Sequence, residues 1–218
     1  MVIFDCNGVL VDSEPIAAAV LAAALRRVGV AASTEGVMRR FHGRRPADVV
    51  AAIETATGKK LPRDFATTVA AETMEHLRAQ LRPITHAAHA LTWIRGLKAV
   101  ASSSPFERMR ESLEITGLVR FFEPRLFSAS AVRNGKPAPD LFLLAAARSL
   151  VDPADCIVVE DSVPGIAAAA AAGMTPIGFV GSNSKPGRLA HELVTAGART
   201  VIGDLRALKN TIAELRGW

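Results

Sequence analysis

Val2-Ile3-Phe4-Asp5-Cys6-Asn7-Gly8-Val9-Leu10-Val11-Asp12-Ser13-Glu14 decides the fold of this chain. Three apolar, strand-forming residues run into an aspartate, a second polar side chain follows two residues later, and then comes a glycine. That order predicts a buried strand whose carboxyl end presents Asp5 and Asn7 to one site, with Gly8 letting the backbone turn away. Alone, Asp5 is as readily a cap or a solvated charge as a functional group. Its meaning depends on what else the chain brings to the same edge.

Downstream of this stretch the pattern is helical for some distance. Residues 14–28 are apolar-periodic, with Pro15 suited to a first turn and Gly29 to a stop. Further helices are expected over 34–41, 47–57 (punctuated by Gly58) and 64–80, with a polar loop at 42–46. From Arg82 the character changes. Strands expected over 97–101, 126–129, 156–159, 175–180 and 200–202 alternate with helices over 87–94, 106–115, 140–150, 163–172 and 188–196, before a terminal helix; residues 183–187 read as a loop. Such alternation predicts a parallel sheet covered on both faces, a three-layer Rossmann-like α/β core carrying an inserted all-α segment. In such sheets ligands bind at the carboxyl ends of the strands, near a topological switch point. The polar clusters Asp5/Asn7, Ser102-Ser103-Ser104 and Glu160-Asp161 each follow an apolar strand directly, and Lys136 sits at a helix entrance.

Length and composition agree with this plan. The 218 residues suffice for one large domain, or for a core plus a smaller insert. Half of them are hydrophobic and 22% charged, which argues against disorder. The net charge of +5 comes mostly from arginine in dispersed pairs, Arg26-Arg27, Arg39-Arg40 and Arg44-Arg45. Without interleaved aromatics or a recognition helix this does not describe a nucleic-acid binder, and attraction of small phosphate esters accounts for part of it. Cys6 and Cys156 have neither zinc nor redox spacing and read as buried, reduced thiols. No signal peptide is read ahead of the first strand. The longest apolar run, 166–174, is too short to span a bilayer, so no membrane partner is expected and the protein is expected in the cytoplasm. No oligomerisation signal is legible, and a monomer is compatible with the pattern.

The clusters suit one kind of chemistry. Carboxylates gathered at strand tips offer the hard oxygen ligands that Mg²⁺ favours. A serine turn entering a helix can hold phosphate oxygens through its hydroxyl and backbone N–H groups. A lysine beside them adds positive charge against a phosphoryl group. Taken singly, the serine is a helix cap and the lysine a solvated charge; together and in order they point to a phosphoryl site.

Asp5-x-Asn7-Gly8-Val9-Leu10, Ala101-Ser102-Ser103-Ser104, Gly135-Lys136-Pro137-Ala138-Pro139-Asp140 and Val159-Glu160-Asp161-Ser162 resemble, in this order, the four motifs of the haloacid dehalogenase (HAD) superfamily. Glu160-Asp161-Ser162-Val163-Pro164-Gly165-Ile166, with the alanine-rich helix and Ala172-Gly173-Met174 after it, is similar to the β-phosphoglucomutase-like, sugar-phosphatase branch. The resemblance implies a catalytic core from 1–13 and 82–218 and a helical cap from 14–81. It implies Asp5 as the nucleophile that becomes an aspartyl-phosphate, and Ser102, Ser103 and Lys136 as binders of the phosphoryl group. Mg²⁺ would be held by Asp5, the backbone carbonyl of Asn7 and Asp161, with Glu160 assisting directly or through water.

Asn7 departs from the family pattern, which has a second aspartate there as the general acid–base. An amide can hydrogen-bond but cannot shuttle a proton, so turnover is expected to suffer while phosphate and Mg²⁺ binding persist. The asparagine is either an introduced change in an intact enzyme, which the other complete motifs favour, or a natural variant. A dehalogenase would lack the acidic pair Glu160-Asp161, a phosphonatase would use a cap lysine, and Ala17 stands where β-phosphoglucomutase has a histidine. The expected function is therefore hydrolysis of a small phosphorylated sugar, sugar acid or polyol; a mutase-type phosphotransferase and a non-catalytic phospho-ligand binder are the alternatives. In the cap, Phe41-His42-Gly43-Arg44-Arg45 resembles the branch's specificity loop, with Arg44 or Arg45 as a candidate clamp for the leaving group and His42 as a filler of the loop.

Overall fold

Alternating side chains sort the opening strand, β1 (Val2–Phe4), onto two cores at once. Val2 and Phe4 face one hydrophobic cluster and Ile3 the other. The computed structural model describes residues 1–181 and 186–217, so the expected loop lies outside the described residues at 183–185. β1 is joined by β2 (Lys98–Ser102), β3 (Leu126–Ser128), β4 (Ile157–Glu160), β5 (Thr175–Phe179) and β6 (Thr200–Ile202). They form one parallel sheet in the order β3-β2-β1-β4-β5-β6. The chain moves outward from β1 through β2 and β3, then returns to β4 on the other side. Asp5 thus leaves the sheet beside the point where the winding reverses.

Helices cover both faces, as the alternation requires. Val100 and Val159 share a cluster with Leu91 of α5 (Ala87–Trp93), Leu113 of α6 (Phe106–Ile115) and Leu208 of α10 (Leu208–Leu215). Ala99, Ala101 and Val158 pack instead against Phe142 of α7 (Asp140–Arg148) and Ala168 and Ala169 of α8 (Val163–Ala171). The small alanines let α8 lie close on the sheet. Leu189 and Leu193 of α9 (Pro186–Thr195) close a smaller cluster with Ile166 and Val180. This helix begins at Pro186, two residues earlier than the periodicity suggests, because the fixed φ of proline suits a first helical turn.

Between β1 and β2 lie α1 (Glu14–Arg27), α2 (Thr34–Phe41), α3 (Pro46–Thr57) and α4 (Phe65–Gln80). They enclose a cluster of their own, including Ala22, Leu25, Val37, Val49, Ile53 and Phe65. Leu77, near the end of α4, and Leu81 after it belong to the sheet cluster, so this helix roots the insert in the core. Among the described residues no helix is long and apolar enough to cross a membrane.

Candidate active site

The tip of β1 carries the first functional group. Asp5 N–H donates to the Val159 carbonyl at 2.9 Å, which extends the β1–β4 pairing one residue and fixes where the carboxylate emerges. Lys136, buried, donates to Asp5 Oδ1 at 2.6 Å, to the Ala101 carbonyl at 3.2 Å, and to Glu160 Oε1. One ammonium therefore ties the tips of β1, β2 and β4 together. Burial pushes the Asp5 carboxyl above its ordinary value; Lys136 opposes this, while Glu160 and Asp161 add to it. Burial alone would lower Lys136, but Asp5 and Glu160 override it and hold the ammonium charged.

Asn7 is held on both sides. Ser13 Oγ donates to its Oδ1 and its Nδ2 donates to Ser104 Oγ, each at 2.9 Å. The serine turn divides its work among three hydroxyls. Ser102 Oγ accepts from Ser104 N–H at 3.1 Å and shapes the turn. Ser103 Oγ donates to the Gly43 carbonyl in the insert at 3.0 Å. Ser104 meets Asn7.

Asp5, Asn7, Ser103, Ser104 and Asp161 line one cavity of about 340 Å³, roofed by the insert. Gly8, at φ +77°, is required beneath it: a Cβ there would lie 1.9 Å from Asp161 Oδ2. The roof is apolar, with Leu21, Val37, Phe41 and Val69 among its side chains, while Glu14, His42, Arg44 and Arg108 are titratable groups that join the lining. The loop 42–45 is clasped to the core. Besides the Ser103 contact, His42 Nε2 lies 3.2 Å from Asp161 Oδ2, and Arg45 donates to the Arg133 carbonyl at 3.4 Å. Gly43, at φ +74°, passes so close to Ser162 that a Cβ would fall 2.6 Å from its Oγ.

Several expected residues sit differently from their sequence reading. Glu160 stands back from the cavity: Oε1 meets Lys136, and Oε2 accepts from the Ser162 N–H at 3.0 Å and from the Ser162 hydroxyl at 2.9 Å. Period-two alternation explains this, since Glu160 shares a face with Val158 and therefore with the α7 side that carries Lys136. Ser102 is fully buried and does not line the cavity, whereas Ser103 and Ser104 do. Arg44 is exposed at the cavity mouth. Arg45 faces away, engaged with Asp48 through Nε at 2.8 Å and Nη2 at 3.2 Å. The expectation that His42 merely fills its loop does not hold. Burial works against its charge, but Asp161 beside it, with Glu14 and Glu160 near, pushes the imidazole up to about 10. Glu14 and Arg108 escape the sequence reading altogether.

The donor set suits a hard divalent ion. Asp5 and Asp161 present carboxylates to the same cavity as Asn7, hard oxygen donors of the kind such an ion takes. Among the described residues no three acidic, imidazole or thiol groups converge as a ready-made metal cluster. A Mg²⁺ ion here would lean on the Asn7 backbone carbonyl and on water as well as on the two aspartates, as that ion commonly does.

Comparison with known proteins agrees with this geometry. Residues 1–173 match the model of the haloacid dehalogenase-like hydrolases. The chain is 31% identical over 196 residues to the 6-phosphogluconate phosphatase of Escherichia coli strain K12, covering 89% of this chain and 88% of that one. It is 30% identical over 208 residues to a phosphorylated carbohydrates phosphatase of Thermotoga maritima, covering 92% and 93%. A crystal structure of a conserved haloacid dehalogenase-like protein of unknown function from Agrobacterium tumefaciens superposes with a TM-score of 0.83 at 34% identity, over 99% of this chain and 98% of that one. The chain belongs to the haloacid dehalogenase-like hydrolase family, on its phosphoric monoester hydrolase branch.

Proposed function

We propose that this chain hydrolyses the ester of a small phosphorylated carbohydrate with Asp5 as nucleophile and Mg²⁺ as cofactor, and that Asn7 slows its turnover. The observation that carries the reading is the Lys136 bridge, which engages Asp5 Oδ1 and leaves Oδ2 for attack. Oδ2 bonds to phosphorus as the bond from phosphorus to the ester oxygen breaks, giving an aspartyl-phosphate and an alkoxide. Water then attacks phosphorus, the bond to Asp5 breaks, and inorganic phosphate leaves. Lys136 orients Asp5 and offers its charge to the phosphoryl oxygens. Held by Asp5, Asp161 and the Asn7 carbonyl, Mg²⁺ would shield the carboxylates from the incoming phosphoryl group. The insert, as cap, closes over the ester through the loop 42–45.

Asn7 limits both halves of this cycle, because its amide neither protonates the alkoxide nor activates water. The relatives named as carbohydrate phosphatases support the substrate class. A second reading, phospho-ligand binding without turnover, is favoured by one observation: both ends of the Asn7 amide are hydrogen-bonded, so it is a settled part of the site. A screen of phosphate release from phosphorylated sugars, sugar acids and polyols, run on the chain and on Asn7→Asp with Mg²⁺, separates the two. Release by Asn7→Asp that Asp5→Ala abolishes supports the phosphatase. No release from any ester by Asn7→Asp overturns it, and interconversion of esters without free phosphate would indicate a mutase.

A further inference from the structure

Arg108 stands in the first turn of α6, just past the serine turn, and lines the cavity together with Asp5, Asn7 and Asp161. Its Nε is withdrawn from solvent and has no hydrogen-bond partner among the described residues. Burial works against the charge of the guanidinium, Glu14 offsets this in part, and the two form no ion pair among the described residues. A buried donor left unmet costs stability, more so when it is charged. Packing does not call for arginine here, because Met109 and Leu113 already bury the apolar side of the helix.

A guanidinium presents a rigid fork that matches a carboxylate. The other arginines near the cavity are differently placed, Arg45 tied to Asp48 and Arg44 exposed at the mouth. The roof offers apolar side chains that suit the C–H faces of a carbon chain but cannot pair a charge. We propose that Arg108 receives a carboxylate of the substrate, so that the site takes phosphorylated sugar acids in preference to neutral sugar or polyol phosphates. This rests on the phosphatase reading above and narrows it. The phosphoryl group lies against Asp5 and the serine turn, and the acid end reaches Arg108. Burial pushes the Glu14 carboxyl toward its neutral form, which lessens the repulsion that a second carboxylate would meet there.

The test is calorimetric titration of the chain, with Mg²⁺, against 6-phosphogluconate and against sorbitol 6-phosphate. The acid is expected to bind roughly ten- to a hundredfold tighter than the polyol. Arg108→Ala should bring the two within about threefold, with Arg108→Lys in between because it keeps the charge but loses the fork. Arg108→Gln serves in place of the alanine variant if that one does not fold. Equal affinities in the unaltered chain, or a preference that survives the loss of Arg108, overturn the assignment and leave the phosphatase reading standing. Binding of neither ester overturns both.

Discussion

Asn7 donates from Nδ2 to Ser104 Oγ at 2.9 Å, so its amide is tied to the serine turn at the tip of β2. The slowing proposed for Asn7 would bear unequally on different esters. An aryl phosphate such as p-nitrophenyl phosphate departs as a stable phenolate and needs no proton, whereas breakdown of the aspartyl-phosphate still needs an activated water. Rapid mixing should therefore give a burst of about one nitrophenolate per active site, then a steady rate about 10²–10⁴-fold below that of Asn7→Asp. Mass spectrometry should find the phosphoryl group on Asp5 during the slow phase. A linear time course with no adduct would show that the first step is the slow one.

Lys136 bridges two buried carboxylates, and removing it leaves both without their cation. Breaking a buried ion pair from one side costs about 3–5 kcal/mol. Urea unfolding of Lys136→Met, with chelator present, should show a loss of that order. Adding Asp5→Asn and Glu160→Gln should recover most of it, because no unpaired charge then remains. A triple variant no more stable than Lys136→Met would mean that the lysine acts through packing, for instance over the Phe142 ring, whose centroid lies 5.0 Å from Nζ.

Glu14 gives a pH signature. Burial raises its carboxyl above the ordinary value, and His42 and Arg108 offset this only in part. The folded state keeps this proton at pH values where the unfolded chain has released it. The contribution to stability is therefore complete below the unfolded value and is lost as pH rises through the folded one. Glutamine cannot lose that proton. Glu14→Gln, compared with the unaltered chain by chemical unfolding in chelator, should gain relative stability as pH rises from acid to mildly alkaline. A variant that instead loses most at neutral pH would show that ionised Glu14 holds Arg108 or His42 in place.

Local signals made most of the fold legible. The expected helices over 34–41 and 106–115 coincide with α2 and α6, because a capping serine, a proline and glycine stops act within a few residues of the ends they set. The strand tips were legible for the same reason, which brought Asp5, Asn7 and Asp161 to one edge. What escaped depends on contacts between distant segments. His42 reaches Asp161 only because the loop of the insert is clasped by Ser103, and no periodicity encodes that docking. Arg108 looks like an ordinary helical arginine until the cavity beside it is known. The facing of Glu160 was within reach, since counting alternate residues from Val158 separates it from Asp161.

The place of β1 also bears on synthesis. It is the first strand in the chain, yet it lies inside the sheet, with Val2 in register with Lys98 on one side and Ile157 on the other. A growing polypeptide therefore carries β1 unpartnered while the insert and then β2 are made, and its second neighbour arrives only with β4. Sheet assembly is a late, long-range event, whereas α1–α4, with a hydrophobic cluster of their own, supply contacts that close early. Contacts closing in the order of translation would settle the helical insert ahead of the sheet it packs on, and the residues that end at Asp5 would stay without their second neighbour until most of the chain has been made.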